Sequence, residues 1–246
     1  MMKIFGLIGH PLSHSFSKGF FAEKFRKEGI NDCIYENFPL ENISQFPALL
    51  EQHPGLRGLN VTIPYKEAVL PWLDELSPAA EQIKAVNCIQ FHEGIRIGFN
   101  TDVMGFKRSL QPLLKPHHTN ALVLGTGGAA KAVMFVLQEL NIPFTVVSRN
   151  AQQGVITYDT LDKDIMTAHT IIINTSPLGM YPEVDAAPPI PYDLITKRHL
   201  LYDLIYNPAE TLFLQQGAAK GAAVKNGYEM LVLQAEASWD IWNERG

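Results

Sequence analysis

The stretch "ALVLGTGGAAKAV", residues 121–133, decides the fold. Four apolar residues run into a glycine turn, and an alanine-rich segment with helix-forming composition leaves it. Gly125, Gly127 and Ala130 stand at the three small-residue positions of a dinucleotide-binding turn. Gly125 permits the tight turn, and Gly127 lets backbone amides approach a pyrophosphate. The helix start beyond them carries unpaired N–H groups that attract anions. A second strand, "FTVVS" at 144–148, arrives about twenty residues on, as such a unit requires. The same turn could also serve only to pack a helix on a strand.

Working outward, apolar runs rich in β-formers recur along the chain as "KIFGLIG", "CIYENF", "GLNVTI", "NCIQF" with "IRIGF", "ALVLG", "FTVVS", "TIIIN", "LLYDLI" and "AAVKN". Segments of helical period separate most of them, so the fold class is α/β with largely parallel sheets. The one hairpin signal is "HEG" at 92–94, after which "GFNTD" enters a helical stretch and marks a domain crossing. A linker-like "LKPHHTN" at 114–120 precedes the glycine turn, and His117 and His118 in it are expected to be solvated loop residues.

Composition excludes several function classes. The chain has 246 residues, 46% hydrophobic and 18% charged, with a formal net charge of −5 and no run of like charges. It can bury a sizeable core in one large domain or two smaller ones. No basic stripe exists to neutralise nucleic-acid phosphates or an anionic membrane surface. No stretch approaches the roughly 20 apolar residues of a transmembrane helix, and a soluble cytoplasmic protein is expected. Cys33 and Cys88 lie far apart without a CxxC partner, so no disulfide framework and no metal site is expected, and both read as core thiols.

The end of "FTVVS" discriminates between cofactors. Asp or Glu would be expected there for a ribose with free hydroxyls, whereas this chain has Ser148, Arg149 and Asn150. Arginine offers a planar fork of donors to a 2′-phosphate, which favours NADP over NAD.

Further polar clusters lie outside this segment. "HPLSHSFS", residues 10–17, places Ser15 and Ser17 two apart, so that in an extended loop both hydroxyls point one way. They suit a polyol or carboxylate, or equally the capping of the helix "KGFFAEKFRKE". In "NVTIPYK", 60–66, a buried strand is expected to end at Pro64, with Thr62 and Lys66 flanking it. Asn87 is a polar residue at the mouth of another strand. Asp102 sits in the first turn of the helix at the crossing, where an acidic residue also serves as a helix start. In the last helix Met230, Gln234, Ala237 and Ile241 share a face, so Gln234 interrupts an apolar stripe. Its amide needs partners, from the backbone or from a ligand hydroxyl.

The pieces "SHSFS", "GLNVTIPYK", "AVNC", "GFNTDVMGF", "GTGGAAKA", "SR", "NTSPLGM", "DLIYNP" and "GYEMLVLQA", in this order, resemble the shikimate dehydrogenase family over nearly the whole chain. The resemblance implies two domains. Residues 1–101 and 228–246 would form an α/β substrate-binding and catalytic domain completed by the C-terminal helix. Residues 102–227 would form a Rossmann-type, doubly wound NADP-binding domain. It implies reversible, NADP-dependent reduction of 3-dehydroshikimate to shikimate in aromatic amino-acid biosynthesis, with a small-molecule substrate and either a monomer or a homodimer. Lys66 and Asp102 would form the catalytic pair, and Ser15, Ser17, Thr62, Asn87, Asp102, Tyr206 and Gln234 would contact substrate. Gly125, Thr126, Gly127, Gly128 and Ala129 would bind pyrophosphate, Ser148 and Arg149 the 2′-phosphate. Thr175, Gly227 and Met230 would lie near ribose and nicotinamide. The alternatives are a dehydrogenase preferring quinate or another ring polyol, and a non-catalytic ligand sensor. The chain departs from the family's usual pattern at Lys18, where Pro is usual, and at Phe21 and Ala22, where His-Asn is usual. It also carries Ser148 where Asn is usual, has no second basic residue after Arg149, and is short for the family, so trimmed surface loops are expected.

Overall fold

The computed structural model describes residues 2–12 and 15–243; Ser13 and His14 of the "HPLSHSFS" stretch lie outside the described residues. Contacts divide the chain into two compact units, Met1–Thr101 with Ala235–Gly246, and Asp102–Gln234.

The first unit contains β1 (Lys3–Gly9), α1 (Phe16–Glu28), β2 (Cys33–Pro39), α2 (Phe46–Gln52), β3 (Leu56–Val61), α3 (Tyr65–Ala68), β4 (Glu75–Leu76), α4 (Pro78–Ile83), β5 (Cys88–His92) and β6 (Ile95–Phe99). Its six-stranded sheet runs β2-β1-β3-β5-β6-β4, with β2, β1 and β3 mutually parallel and β5 antiparallel to both its neighbours. The β5–β6 connection is the expected hairpin: Glu93 and Gly94 both take positive φ, 49° and 83°, as a two-residue primed turn requires.

Side chains two apart on a strand share a face, and the two faces of this sheet bury different sets. Ile8, Leu59, Val61 and Ile89 pack with Phe46, Leu49, Tyr65 and Val69. Phe5, Leu7, Tyr35 and Cys88 pack with Phe21 and Phe25 of α1 and with Ala235, Ile241 and Trp242 of the last helix. Trp242 stacks on Phe5 at 4.9 Å between ring centroids and donates its indole N–H to the Ile89 carbonyl. It can lie there because β3 has a glycine beneath it: a Cβ on Gly58 would stand 2.2 Å from the indole nitrogen.

The second unit begins within α5 (Thr101–Leu110) and continues through β7 (Ala121–Leu124), α6 (Gly128–Glu139), β8 (Phe144–Ser148), β9 (Val155–Thr157), α7 (Lys163–Ala168), β10 (Ile171–Asn174), β11 (Leu200–Asp203), α8 (Leu212–Ala219) and β12 (Ala223–Lys225) into α9 (Tyr228–Asn243). Its sheet is parallel throughout, in the order β9-β8-β7-β10-β11-β12. Counted within the unit this is 3-2-1-4-5-6, the doubly wound dinucleotide-binding order, with its switch point between β7 and β10. One face packs Leu122, Leu124, Val147, Ile172 and Leu201 against Met166, Phe213 and Leu214. On α5, Phe106 meets the ring of the buried Tyr202 edge-on, and the Ser109 hydroxyl lies 2.6 Å from the Tyr202 hydroxyl. Gly105 lets α5 approach α9, since a Cβ there would stand 2.6 Å from the Met230 carbonyl.

Two expectations change. The strand before Pro64 stops at Val61, and Lys66 rides on the single helical turn α3. The reason is local: the Thr62 N–H still bonds to Ile8 on β1, but the Thr62 carbonyl accepts from the Tyr65 N–H and starts a turn. His118 is packed rather than solvated. Its Nδ1 accepts from the Lys115 N–H, so its Nε2 donates to the Arg198 carbonyl, and burial lowers its pKa.

Gly58→Ala is expected to lower the unfolding free energy by about 1–3 kcal/mol, because the rigid indole and the strand backbone must separate. Urea unfolding followed by tryptophan fluorescence measures it, and an unchanged midpoint would contradict the packing described.

Candidate active site

Strand direction gathers the expected substrate residues of the first unit onto one sheet edge. Ser15 and Ser17 follow the carboxyl end of β1, and Thr62 and Lys66 follow that of the parallel β3. Asn87 precedes β5, which runs the opposite way and so begins at the same edge. Thr101 follows β6, again at that edge.

Each side chain has identifiable support. Ser15 caps α1, accepting from the Lys18 N–H at 3.4 Å, and Lys18 also pairs with Glu36 at 2.6 Å. A proline at position 18 has no N–H and could not make this cap. Ser17 stands in the first turn of α1. The phenol of the buried Tyr35 donates to Asn60 Oδ1 at 2.8 Å, and burial raises its pKa. Lys66 is half-buried. Its backbone is fixed by the Val86 N–H bonding to its carbonyl at 2.8 Å and by its neighbour Tyr65, whose phenol donates to the Leu40 carbonyl. Asn87 is 3% exposed, and its Oδ1 accepts both the N–H and the hydroxyl of Thr101, at 2.6 and 3.1 Å.

Within the second unit the expected cofactor residues also share one edge, the carboxyl ends of the parallel strands. Gly125–Ala129 follow β7, Ser148 and Arg149 close β8, and Thr175 follows β10. Gly125 has φ of +117°, and a Cβ on it would meet Thr175 Oγ1 at 2.7 Å, so the two loops touch at the switch point. The Thr175 hydroxyl is held there by the Leu124 carbonyl at 2.8 Å. A Cβ on Gly127 or Gly128 would meet no atom within 4 Å, which leaves open space before the N-terminus of α6. That space, the unpaired first N–H groups of a twelve-residue helix and the exposed Arg149 fit a dinucleotide carrying a 2′-phosphate. Asp102 lies in the first turn of α5. The Gln234 amide is 9% exposed and donates to the Leu231 carbonyl of its own helix at 2.9 Å. Tyr206 is 41% exposed in the loop after β11. Met230 and Gly227 are buried; Gly227 meets the Leu204 carbonyl so closely that it admits no Cβ. Among the described residues no group of three His, Cys, Asp or Glu could hold a metal ion, and no helix is long and apolar enough to cross a membrane.

Reading the sequence missed Asp203. This fully buried carboxylate ends β11 and accepts from Thr211 Oγ1 at 2.6 Å, Asn174 Nδ2 at 3.0 Å and the Ile205 N–H at 3.1 Å. It thereby ties the loops after β10 and β11, which carry Thr175 and Tyr206. The available signal was a lone carboxylate closing the apolar run "LLYD". Also missed were Tyr35, Asn60 and Ser238, buried polar residues inside apolar runs.

The sheet order, the glycine turn at the switch point and the exposed arginine beyond β8 define an α/β protein with a Rossmann-type dinucleotide-binding unit. Comparison with known proteins narrows this. Residues 7–89 match the family described as the shikimate dehydrogenase substrate binding domain. A relative from Methanococcus maripaludis, shikimate dehydrogenase (NADP(+)), is 38% identical over 98% of this chain and 91% of its own length. The structure of shikimate 5-dehydrogenase from Thermus thermophilus, solved in complex with NADP(H) and shikimate, is 32% identical, with a TM-score of 0.86 over 98% of this chain and 94% of that one. The chain belongs to the shikimate dehydrogenase family. A third likeness is to the ligand-free 5-ketofructose reductase of a Gluconobacter species, 28% identical, with a TM-score of 0.88 over 100% of this chain and 94% of that one.

Asp203 generates a pH dependence. Burial raises its pKa from 3.8 to about 6 against the opposing hydrogen bonds from Thr211, Ile205 and Asn174. The folded state therefore holds this proton more tightly than the unfolded chain does. Asp203 adds no penalty below the unfolded value and its full penalty above the folded one, so its contribution to stability falls as pH rises between 3.8 and about 6. The fall is on the order of 3 kcal/mol. Urea unfolding of wild type and Asp203→Asn across this range is expected to show it in the wild type alone, and parallel curves would contradict it.

Proposed function

We propose that the chain catalyses the reversible, NADP-dependent reduction of 3-dehydroshikimate to shikimate, in the cytoplasm, as a step of aromatic amino-acid biosynthesis by way of chorismate. The observation that carries this reading is the gathering of Ser15, Ser17, Thr62, Lys66 and Asn87 on one sheet edge of a chain that belongs to this family. We take residues 1–101 with the last helix as the substrate-binding and catalytic part and 102–227 as the NADP-binding part. Gly125–Ala129 would hold the pyrophosphate and Ser148 with Arg149 the 2′-phosphate, while Thr175, Gly227 and Met230 would border the ribose and nicotinamide. Bound NADPH supplies the hydride that the ring carbonyl carbon receives.

The protein's own residues bind the ring and handle the proton. Ser15, Ser17, Thr62, Asn87, Asp102, Tyr206 and Gln234 engage its hydroxyls and carboxylate. As the carbonyl oxygen becomes an alkoxide, the Lys66 ammonium stabilises the growing charge and delivers a proton, and Asp102 acts with it as the second member of the pair. In the oxidation direction the hydroxyl proton returns to Lys66. The fixed backbone of Lys66 supports this role, since a donor already in place needs little rearrangement as charge develops.

A second reading, reduction of another polyhydroxylated ketone, draws on the likeness to 5-ketofructose reductase. Substrate profiling with shikimate, quinate and 5-ketofructose separates the two.

Following nicotinamide absorbance with 3-dehydroshikimate tests the main reading. Lys66→Ala is expected to lower kcat by roughly 10²- to 10⁴-fold with a smaller change in KM. An unchanged kcat would remove Lys66 from catalysis. Arg149→Ala is expected to raise KM for NADPH by about 10-fold or more, the size of one charge-assisted hydrogen bond, and to leave KM for NADH nearly unchanged. Equal effects on both cofactors would show that Arg149 does not select the phosphate.

A further inference from the structure

Three consecutive residues at the end of β6 hold the segment that leads into β5. The Phe99 carbonyl accepts from the Asn87 N–H at 3.0 Å, Asn100 Nδ2 donates to the Ala85 carbonyl at 3.0 Å, and the Thr101 N–H donates to Asn87 Oδ1 at 2.6 Å. The held segment leaves α4 through Lys84, which takes left-handed angles of φ 57° and ψ 40°. A lysine stays in that conformation only where its surroundings fix it.

Asn100 differs from its neighbours in its target, the peptide group between Ala85 and Val86. That group is one planar unit whose C=O and N–H point opposite ways. Its carbonyl takes the Asn100 amide proton, and its N–H donates to the Lys66 carbonyl at 2.8 Å. Two hydrogen bonds with a rigid plate between them therefore tie Asn100 to α3, the turn that carries Lys66. A carbonyl only accepts, so the atom turned to Ala85 is Nδ2 and the orientation of the amide is settled. Asn100 is 6% exposed, and its buried Oδ1 meets no donor among the described residues. A buried acceptor without a donor costs stability, which offsets what the bond to Ala85 contributes. What that bond supplies is position.

We propose that Asn100 is a positioning residue for Lys66: through the Ala85–Val86 peptide it sets where the turn bearing the ammonium stands at the sheet edge. Lys66 and Asn87 depend on it unequally. Asn87 is held by its own N–H, carbonyl and Oδ1, on Phe99, Val61 and Thr101. The four-residue turn of Lys66 has no capping side chain, and it is tied through the Lys66 carbonyl and through Tyr65. Loss of the Nδ2 donor frees the peptide to rotate and the turn to follow, so proton transfer suffers while binding of ring and cofactor does not. The inference rests on the reading that Lys66 handles the proton.

Asn100→Leu tests it, with Asn100→Ala as the smaller replacement where the leucine variant does not fold. Leucine removes the orphaned Oδ1 and takes the donor from the Ala85 carbonyl, so one unpaired buried acceptor is exchanged for another. The urea midpoint is therefore expected to stay within about 0.5 M of the wild type. The kcat for shikimate oxidation is expected to fall about 10-fold or more, with KM for shikimate within about two-fold and KM for NADP unchanged. In the Lys66→Ala background the same substitution is expected to cost nothing further, since it acts through Lys66. Amide hydrogen exchange reads the tie directly: the Val86 N–H is expected to exchange about 10-fold faster in Asn100→Leu, with the amides of β10 unchanged. Additive losses of kcat, a raised KM for NADP, wild-type exchange at Val86, or exchange that quickens equally in β10 would each overturn the proposal. Should the wild type neither oxidise nor bind shikimate, the functional reading falls. The tie is then judged by exchange alone: faster exchange confined to Val86 and the Lys66 turn supports it, and wild-type exchange there overturns it.

Discussion

The backbone N–H of Thr101 opens a helix, so no carbonyl of that helix can accept from it, and it is buried away from water. Left unpaired it would cost about 1–3 kcal/mol, and the Asn87 side chain removes that penalty with its Oδ1. Much else hangs on this bond. The Asn87 carbonyl accepts from the Val61 N–H, and its own N–H donates to Phe99, so one residue fastens β3, β6 and the start of α5 together. Where α5 starts decides where Asp102 stands in its first turn.

The dinucleotide-binding unit solves the corresponding problem with a charge. Three donors converge beyond the ends of β10 and β11: the Asn174 amide, the Thr211 hydroxyl and the Ile205 N–H. A carboxylate can accept from all three and brings no proton of its own that needs an acceptor. The penalty is burial of a negative charge whose three donors are all neutral, and the raised pKa of Asp203 expresses it. The two units thus place their loops by the same means, a buried acceptor serving several donors, and differ in whether the acceptor is neutral.

Most of the architecture was legible because it is written in long apolar runs. "KIFGLIG" and "FTVVS" coincide with β1 and β8, and the glycine turn specified the parallel sheet before any pairing was known. The strands β4 and β9, of two and three residues, were not legible, since neither is long enough for an alternation to show. The helical turn that carries Lys66 is illegible for a related reason: "YKEA" has four residues and no capping side chain. The positions expected to meet ligand could be named from motifs, but their supports could not. Tyr35 pairs with Phe5 and Asn60 with Leu7 on opposite sides of β1, and only that register brings the phenol to the amide.

The departures at positions 18 and 21 belong to the same local solution. Phe21 is fully buried, carries no polar atom and stacks flat on Tyr35 at 4.5 Å. The hydroxyl of the ring stacked upon it donates to Asn60 at 2.8 Å. Lys18 contributes the N–H that caps on Ser15, which ties the first serine to the helix end. Two serines that look equivalent in sequence are therefore unequal in the fold. Ser15 has an acceptor position committed to the Lys18 N–H ahead of α1, whereas Ser17 stands within the first turn of that helix.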